Sequence, residues 1–558
     1  MSDAAVASND LGNRLRSEGR PSEAIRWYRS ALAAAPERAE IHSNLGAALL
    51  DLGQWADARR ALERALELDP RLTLARSNLA TVLRATREDV AALQEFRRVA
   101  REAPHFLYAR VHALTLAREL ADWEGWLEDL QGLQATAPAP GNTAPQLDLL
   151  YLPLSSLQLK AHAVAYATEV WGRMASLSRR PRIERSFSRR LRIGYVSDEL
   201  RRHATGTLLT EALELHDRQR FEVSVYCWGA DDGSVTERRV RRCCAMRDIS
   251  QLSDAAAAER VRNDRIDILI DLKGYVPRGR MGLFALRPAP VQVSWLGYPG
   301  TLGTAFHDYI IADPVVIPPG AEAAYTENVA RLPRCYQPND RRRPMAAARA
   351  RGAHGLPDDT LVFCHLGKSS KVLPDVFSAW MALLRRVPDS VLWLLAERDA
   401  VREPLRQAAR REGVDPARLR FAGLAPLDEH IARFRVADLA LDTFPYGSHT
   451  TASEALWAGC PLVTRTGDTF ASRVAASLLH AAGMPELVTD SAEAYGELAV
   501  SLAGDGTRLA ALRTRLETSR TTSALFDTPR LVRDLEALYV EMSRRASSGV
   551  PPGAIGAT

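Results

Sequence analysis

Four kinds of residue recur every 34 positions through the first hundred residues. Proline stands at Pro36, Pro70 and Pro104. The small residues Gly12, Gly46 and Ala80 keep the same interval, as do Ala24, Ala58 and Ala92. The large apolar slot is filled by Tyr28, Leu62 and Phe96. A unit of this length holds two helices and a turn. It cannot bury its apolar face alone, so such units must stack into a solenoid. The small residue lets the two helices close on each other. The large side chain fills the seam, and proline stops the second helix before the next unit.

This period and pattern are those of tetratricopeptide repeats. Residues 1–135 are expected to hold three clear units and a degenerate fourth, from His105 to about Leu130. Their concave face is expected to bind another polypeptide, the alternative being a rigid spacer. TAPAPGNTA, from Thr136 to Ala144, breaks the pattern, and 136–189 is expected as a helical linker. The linker closes on a basic stretch, Arg179 to Arg192. With almost no aromatic residues interleaved, it reads as a solvated segment rather than a nucleic-acid patch.

Composition narrows the partners. The 558 residues carry 73 Lys plus Arg against 68 Asp plus Glu, a net charge of only +5. That balance points to neither nucleic acid nor an anionic membrane. Arginine far outnumbers lysine, as codon bias would produce. The first residues, MSDAAVASND, lack the basic and apolar regions of a signal peptide, and no apolar run reaches membrane-spanning length. Six scattered cysteines without CxxC spacing fit a reducing cytoplasm better than a zinc site or disulfide framework. A cytoplasmic protein is expected.

From Leu191 the texture changes. LRIGYVS, FEVSVYCW, IDILIDL and VQVSWLGY are apolar strands with helical stretches between them. After a basic passage from Gln337 to Gly355, a second series begins with LVFCHL, SVLWLLAE, RLRFAGL, ADLALDTF and PLVTRTG. The alternation implies parallel sheets covered on both faces. The expected fold is thus a helical solenoid followed by two doubly wound α/β domains, 190–350 and 351–545, and a disordered tail, 546–558. Ligands of such sheets bind at the carboxyl ends of strands. Two polar motifs lie at such ends, SDELRRHATG and GSHTTASE. A helix beginning near Thr450 offers free N–H groups, a partial positive charge and the hydroxyls of Thr450 and Thr451, which suit a phosphate. Glu454, one turn further, could accept two hydrogen bonds from ribose. An ordinary helix cap fits the same residues.

Three features together resemble the O-linked N-acetylglucosamine transferases and the related SPINDLY-type O-fucosyltransferases. They are the repeats, ALRPAPVQVSWLGYPGT (Ala285 to Thr301) and LDTFPYGSHTTASEALWAGCPLVT (Leu441 to Thr464). SRVAASLL (Ser472 to Leu479) agrees as well. The resemblance covers nearly the whole chain and implies two Rossmann-like domains of the GT-B type behind the solenoid. It implies inverting, metal-independent transfer of a sugar from a nucleotide diphosphate, UDP-N-acetylglucosamine, to Ser or Thr of a protein held by the repeats, with no cofactor. By the same resemblance His449, Thr450, Thr451 and Glu454 contact the donor diphosphate and ribose, and Lys371 neutralises the leaving group. His203 stands where a histidine near the sugar was proposed as base. Ala425, His430 and Arg433 lie in the base-binding segment, and Tyr298, Pro299 and Gly300 in the loop under the donor sugar.

The chain departs from that family at GKSSK. Lys368 replaces a neutral amide and Ser370 an aromatic residue, and Leu427 stands where a lysine is usual. Glu454 replaces the aspartate of the N-acetylglucosamine transferases and matches the fucosyl branch. The added cation at Lys368 would favour a more anionic donor. GDP-fucose, to which the Glu454 match points, or a CMP-nonulosonic acid for flagellin, whose carboxylate would suit Lys368, is an alternative donor. A further alternative is a repeat scaffold whose transferase half has decayed.

Overall fold

The computed structural model describes residues 3–181 and 190–556. They fall into two compact units, one of residues up to 138 with 142–145, the other of 139–141 with 146 onward.

The first unit is built of helix pairs. Asp3–Ser17 packs on Pro21–Ala34, Ala39–Asp51 on Trp55–Leu68, and Thr73–Ala85 on Asp89–Glu102. Leu107–Leu120 and Trp126–Ala135 form the degenerate fourth pair. The small-residue slot has a steric reason. A Cβ on Gly12 would lie 2.6 Å from the Tyr28 ring, and one on Gly46 2.5 Å from Leu62. The turn inside each pair adds a slot that sequence reading passed over. Gly19, Gly53 and Arg87, again 34 apart, all adopt left-handed backbone, with φ of 76°, 69° and 69°. Glycine takes that conformation freely; Arg87 does not.

The second unit holds two sheets, and among the described residues every strand pairing in them is parallel. The first contains β1 (Leu191–Val196), β2 (Phe221–Cys227), β3 (Ala245–Asp248), β4 (Ile268–Asp271), β5 (Val291–Ser294), β6 (Tyr309–Ala312) and β7 (Asn328–Arg331). The second contains β8 (Leu361–His365), β9 (Ser390–Leu395), β10 (Leu419–Ala422), β11 (Leu439–Leu441), β12 (Leu462–Arg465) and β13 (Val488–Thr489). A last strand, β14 (Ile555–Gly556), returns to the first sheet, whose order is β14-β7-β6-β5-β4-β1-β2-β3. The second sheet runs β10-β9-β8-β11-β12-β13. Strand order therefore reverses between β1 and β4 and between β8 and β11. Doubly wound sheets bind ligands outside the carboxyl ends of strands at such points.

Two boundaries differ from the sequence expectation. The expected linker is largely part of the second unit. Helix Ser156–Leu177 starts on a capping box, Ser155 with Gln158. It seats Leu159, Trp171, Met174 and Ala175 against the core around Phe284 and Leu302. Its apolar residues were legible, but their partners lie more than a hundred residues further on. Of the basic stretch Arg179 to Arg192, residues 182–189 lie outside the described residues. The tail is ordered as far as it is described, since Ile555 pairs with Ala330 in β7. Helix Thr528–Ser547 also belongs with the first sheet. The Tyr539 hydroxyl meets that of Tyr195 at 3.0 Å, and Glu536 faces His216 Nδ1 at 3.0 Å.

The basic passage between the halves is an ion-paired crossover. Arg341 donates to Glu211 at 2.6 Å and Arg351 to Asp438 at 2.6 Å, while Arg342 pairs with Glu214. Among the described residues no helix is long and apolar enough to cross a membrane.

Candidate functional site

The loop after β11 is organised by a buried carboxylate. Asp442 Oδ1 accepts the N–H of Thr443 at 2.8 Å and of Ser448 at 2.6 Å, and Oδ2 accepts the Thr464 hydroxyl at 2.6 Å. Burial raises the Asp442 pKa, and these hydrogen bonds with the Lys371 charge pull against that. The loop then delivers His449 as the residue before helix Thr450–Ala458. The His449 side chain does not cap that helix, so its first-turn N–H groups, beside the half-buried Thr450 and Thr451, have no cap from the N-cap residue.

His449 is stacked on Tyr446, ring centres 4.6 Å apart. Its Nε2 lies 3.1 Å from the Ala471 carbonyl. Burial first, and the Lys371 charge second, push its pKa down to about 3. The ring is therefore neutral, with its one proton on Nε2 donated to Ala471. Lys371 ends the short turn Ser369–Lys371 after β8. Its Nζ donates to the Gly447 carbonyl at 2.7 Å and sits 4.5 Å above the Tyr446 ring. Burial lowers its pKa to about 8; Asp442 opposes that shift and Lys368 adds to it. Lys371, Gly447, Tyr446 and His449 thus form one corner, where a cation and a helix N-terminus converge.

Glu454 and His430 form a second pair. His430 Nε2, on helix Leu427–Arg433, lies 3.5 Å from Glu454 Oε2, and the Glu454 side chain is 7 % exposed. The buried guanidinium of Arg343 feels the Glu454 charge. Arg433 donates to the Gly423 carbonyl at 2.7 Å. Ala425 lies half-buried in the loop between β10 and that helix.

The segment after β5 is placed differently from the rest. Tyr298 is buried in the core, its hydroxyl donating to the Gln146 carbonyl at 3.2 Å and its ring edge-on to Tyr275. Its side chain serves packing, which leaves only backbone there to meet a ligand. Pro299 and Gly300 are buried too, and a Cβ on Gly300 would press on Leu150 at 3.3 Å.

His203 caps helix Ala204–Leu215 after β1, its Nδ1 accepting from Thr205 N–H at 3.3 Å. The same Nδ1 lies 3.2 Å from Glu199 Oε2. Although 46 % of its side chain is open, desolvation lowers its pKa. The Glu199 and Asp198 charges oppose that, and the ammonium groups of Lys273 and Lys368 add to it. The exposed Lys368, on the loop after β8, is thus close enough to act on both His203 and Lys371.

Four groups in this region escaped sequence reading. Tyr446 links His449 to Lys371 and stacks on Tyr151 at 4.2 Å. His365, at the end of β8, is held near pKa 4 by burial while its Nδ1 lies 3.0 Å from the Leu441 carbonyl. Glu199 and Lys273 were also missed. A signal for Lys273 existed. The chain contains only four lysines, Lys160, Lys273, Lys368 and Lys371. Three of them stand in loops at the reversal points of the two sheets.

Comparison with known proteins agrees with this layout. The model of Glycosyl transferase family 41 matches residues 141–348 and 339–535. Tetratricopeptide repeat models match 15–71 and 44–105. A probable UDP-N-acetylglucosamine–peptide N-acetylglucosaminyltransferase of Arabidopsis thaliana, SEC, is 38 % identical over 373 residues, which is 65 % of this chain and 38 % of that protein. A UDP-N-acetylglucosamine–peptide N-acetylglucosaminyltransferase of Caenorhabditis elegans is 30 % identical, covering 65 % of this chain and 41 % of its own. The chain therefore spans about two fifths of the length of these curated relatives. The structure of a mutant O-GlcNAc transferase of Thermobaculum terrenum is 30 % identical and superposes with a TM-score of 0.71, covering 98 % of this chain and all of the other.

Proposed function

The chain belongs to glycosyl transferase family 41, and on that premise we propose that it transfers N-acetylglucosamine from UDP-N-acetylglucosamine to Ser or Thr of a polypeptide bound by the repeats. In this reading the reaction inverts the sugar, needs no metal or cofactor and takes place in the cytoplasm. The observation that carries it is the corner where Lys371 Nζ, held on the Gly447 carbonyl, meets the uncapped helix Thr450–Ala458. Charge that grows on a departing diphosphate needs fixed positive partners, and a lysine plus a helix N-terminus supply them. Lys371 would donate a second N–H to a phosphate oxygen while keeping its bond to the Gly447 carbonyl. Glu454, with His430 beside it, offers carboxylate oxygens to ribose hydroxyls. His203 would take the acceptor proton; desolvation lowers its pKa, which favours the unprotonated ring that a base needs. The six free thiols, four of them buried, suit a reducing compartment.

A second reading keeps the fold and changes the donor. Lys368 is an exposed cation whose charge acts on both Lys371 and His203, which would suit GDP-fucose less than a donor carrying a carboxylate, such as a CMP-nonulosonic acid. A thermal-shift series with UDP, GDP and CMP decides among them. UDP at a hundred times its Kd should add about 2.7 kcal/mol of stability. A response to CMP or GDP alone changes the donor. No response to any of the three, with no sugar transfer, leaves a repeat scaffold without an active transferase half.

A further inference from the structure

A buried ion cluster beside His203 has no part in the reading above. Lys273, in the loop after β4, is 2 % exposed. Its Nζ lies 2.6 Å from Glu199 Oε1 and 2.7 Å from Asp198 Oδ1. The other oxygen of Glu199 accepts the Thr205 hydroxyl at 2.9 Å and faces His203 Nδ1 at 3.2 Å. Asp271 fixes the loop that carries Lys273, accepting the N–H of Lys273 at 2.8 Å and of Gly274 at 2.9 Å. Arg278 reaches Asp198 from the solvent side at 3.4 Å.

Burying two carboxylates and an ammonium is costly, and apolar residues of similar size would serve stability as well. Composition adds an independent argument. This chain has 73 basic residues and four lysines, so a position that only needs positive charge is ordinarily arginine. Lysine differs in being a compact ammonium on a flexible stem. Lys273 uses that property, fitting one nitrogen between two carboxylates. Lys160, by contrast, donates to a backbone carbonyl, that of Ala323, at 2.7 Å.

We propose that Glu199, clamped by Lys273, is the positioning residue of His203: it receives the Nδ1 proton and so turns Nε2, unprotonated, toward the acceptor hydroxyl. The proposal rests on the transferase reading. As the acceptor oxygen bonds to the anomeric carbon, its proton passes to His203 Nε2. The bond from the anomeric carbon to the diphosphate oxygen breaks, and its electron pair leaves with the diphosphate beside Lys371. The resulting imidazolium keeps its Nδ1–H on Glu199.

The two contacts of Nδ1 demand opposite tautomers. Thr205 N–H requires an unprotonated Nδ1, whereas Glu199 requires a protonated one. Desolvation first, then Lys273 and Lys368 and the helix N-terminus that His203 caps, disfavour imidazolium. Glu199 and Asp198 oppose them. Lys273 thereby does two things at once: it holds the Glu199 carboxylate in place and stops it from making His203 too basic.

The test follows His203 ionisation by NMR of protein labelled at histidine Cε1, with His203→Gln to assign the signal. It needs neither donor nor acceptor, so it stands even if no sugar transfer is found and the transferase reading falls. Glu199→Gln removes the charge at constant shape and should lower the His203 pKa by about one unit or more. Lys273→Met should raise it. In the active enzyme the acid limb of the kcat/KM profile should move in the same two directions. Glu199→Gln should lower kcat by about tenfold or more, with UDP binding retained. If Lys273→Met does not fold, Glu199→Asp takes its place, keeping the charge but withdrawing it from Nδ1. That change should also lower both kcat and the His203 pKa. An unchanged His203 pKa in Glu199→Gln, or shifts of the same sign in Glu199→Gln and Lys273→Met, overturns the proposal.

Discussion

The ammonium nitrogen of Lys371 lies 4.5 Å above the centre of the Tyr446 ring. With its hydrogen bond to the Gly447 carbonyl, this contact holds the cation in the corner before any diphosphate arrives. A group already in place costs no reorganisation when charge develops.

Truncating that cation should therefore affect turnover more than binding. Lys371→Ala is expected to lower kcat by about a hundred- to a thousandfold, while the Kd for UDP, read by calorimetry, rises less than tenfold. Turnover equal to that of the parent protein would remove Lys371 from the mechanism.

The pKa of Lys371 sets a pH limit. Burial, with Lys368, lowers it from 10.5 to about 8 against the pull of Asp442. The free enzyme loses this charge above pH 8, so kcat/KM should fall about tenfold per unit there. The limb in kcat should lie higher, because bound diphosphate favours the charged lysine. For stability the sign is opposite. Between about pH 8 and 10.5 the unfolded chain holds a proton that the folded protein has released, so this residue makes stability rise with pH across that window. A kcat/KM that stays flat to pH 9.5 contradicts the assignment.

Lys368 separates the donors. Its charge reaches both His203 and Lys371. With UDP-N-acetylglucosamine, Lys368→Gln should leave activity equal or higher. With a carboxylate-bearing donor, the same change should cost tenfold or more, about 1.4 kcal/mol. Loss of activity with UDP-N-acetylglucosamine and a neutral acceptor peptide would defeat both branches.

The repeats should serve the acceptor and not the nucleotide. A protein lacking residues 1–138 is expected to keep its thermal shift with UDP and to lose modification of a folded protein acceptor, followed by intact-mass spectrometry. Normal modification by the shortened protein would show that the repeats hold no acceptor.

Gly46 tests the steric account of the repeat. Alanine is the better helix former by about 1 kcal/mol, yet its Cβ would stand 2.5 Å from Leu62. Overpacking of that kind costs about 1–3 kcal/mol. Gly46→Ala should therefore melt at a lower temperature than the parent, and a higher melting temperature refutes the packing argument.

What could be read from the residues was set by the range of the interactions. The repeats were legible because Gly46 and Leu62 meet within one unit, and 34-residue spacing repeats that contact. The strands were legible from apolar runs, and helix Thr450–Ala458 from its own threonines. The pairing of Glu199 with Lys273 was not, because 74 positions separate them and only the adjacency of β1 and β4 joins them. Tyr151 and Tyr446 are further apart still. The packing of the Tyr298 side chain was not legible for a related reason. Its motif is local, but its hydroxyl partner, Gln146, comes from the segment expected as a linker.

Ribosomes deliver a chain from one end, and this fold does not close in that order. Tyr195, in the middle of β1, has its hydroxyl partner 344 residues later, on Tyr539. At roughly 5–20 residues per second, about 20–70 s pass between the emergence of the two. Through that interval the face of the first sheet that helix Thr528–Ser547 will cover waits for its lid. A nascent chain arrested in the second half would leave His216 without Glu536 and apolar surface open to chaperones. Completion of the first sheet's packing therefore requires residues made after the second sheet.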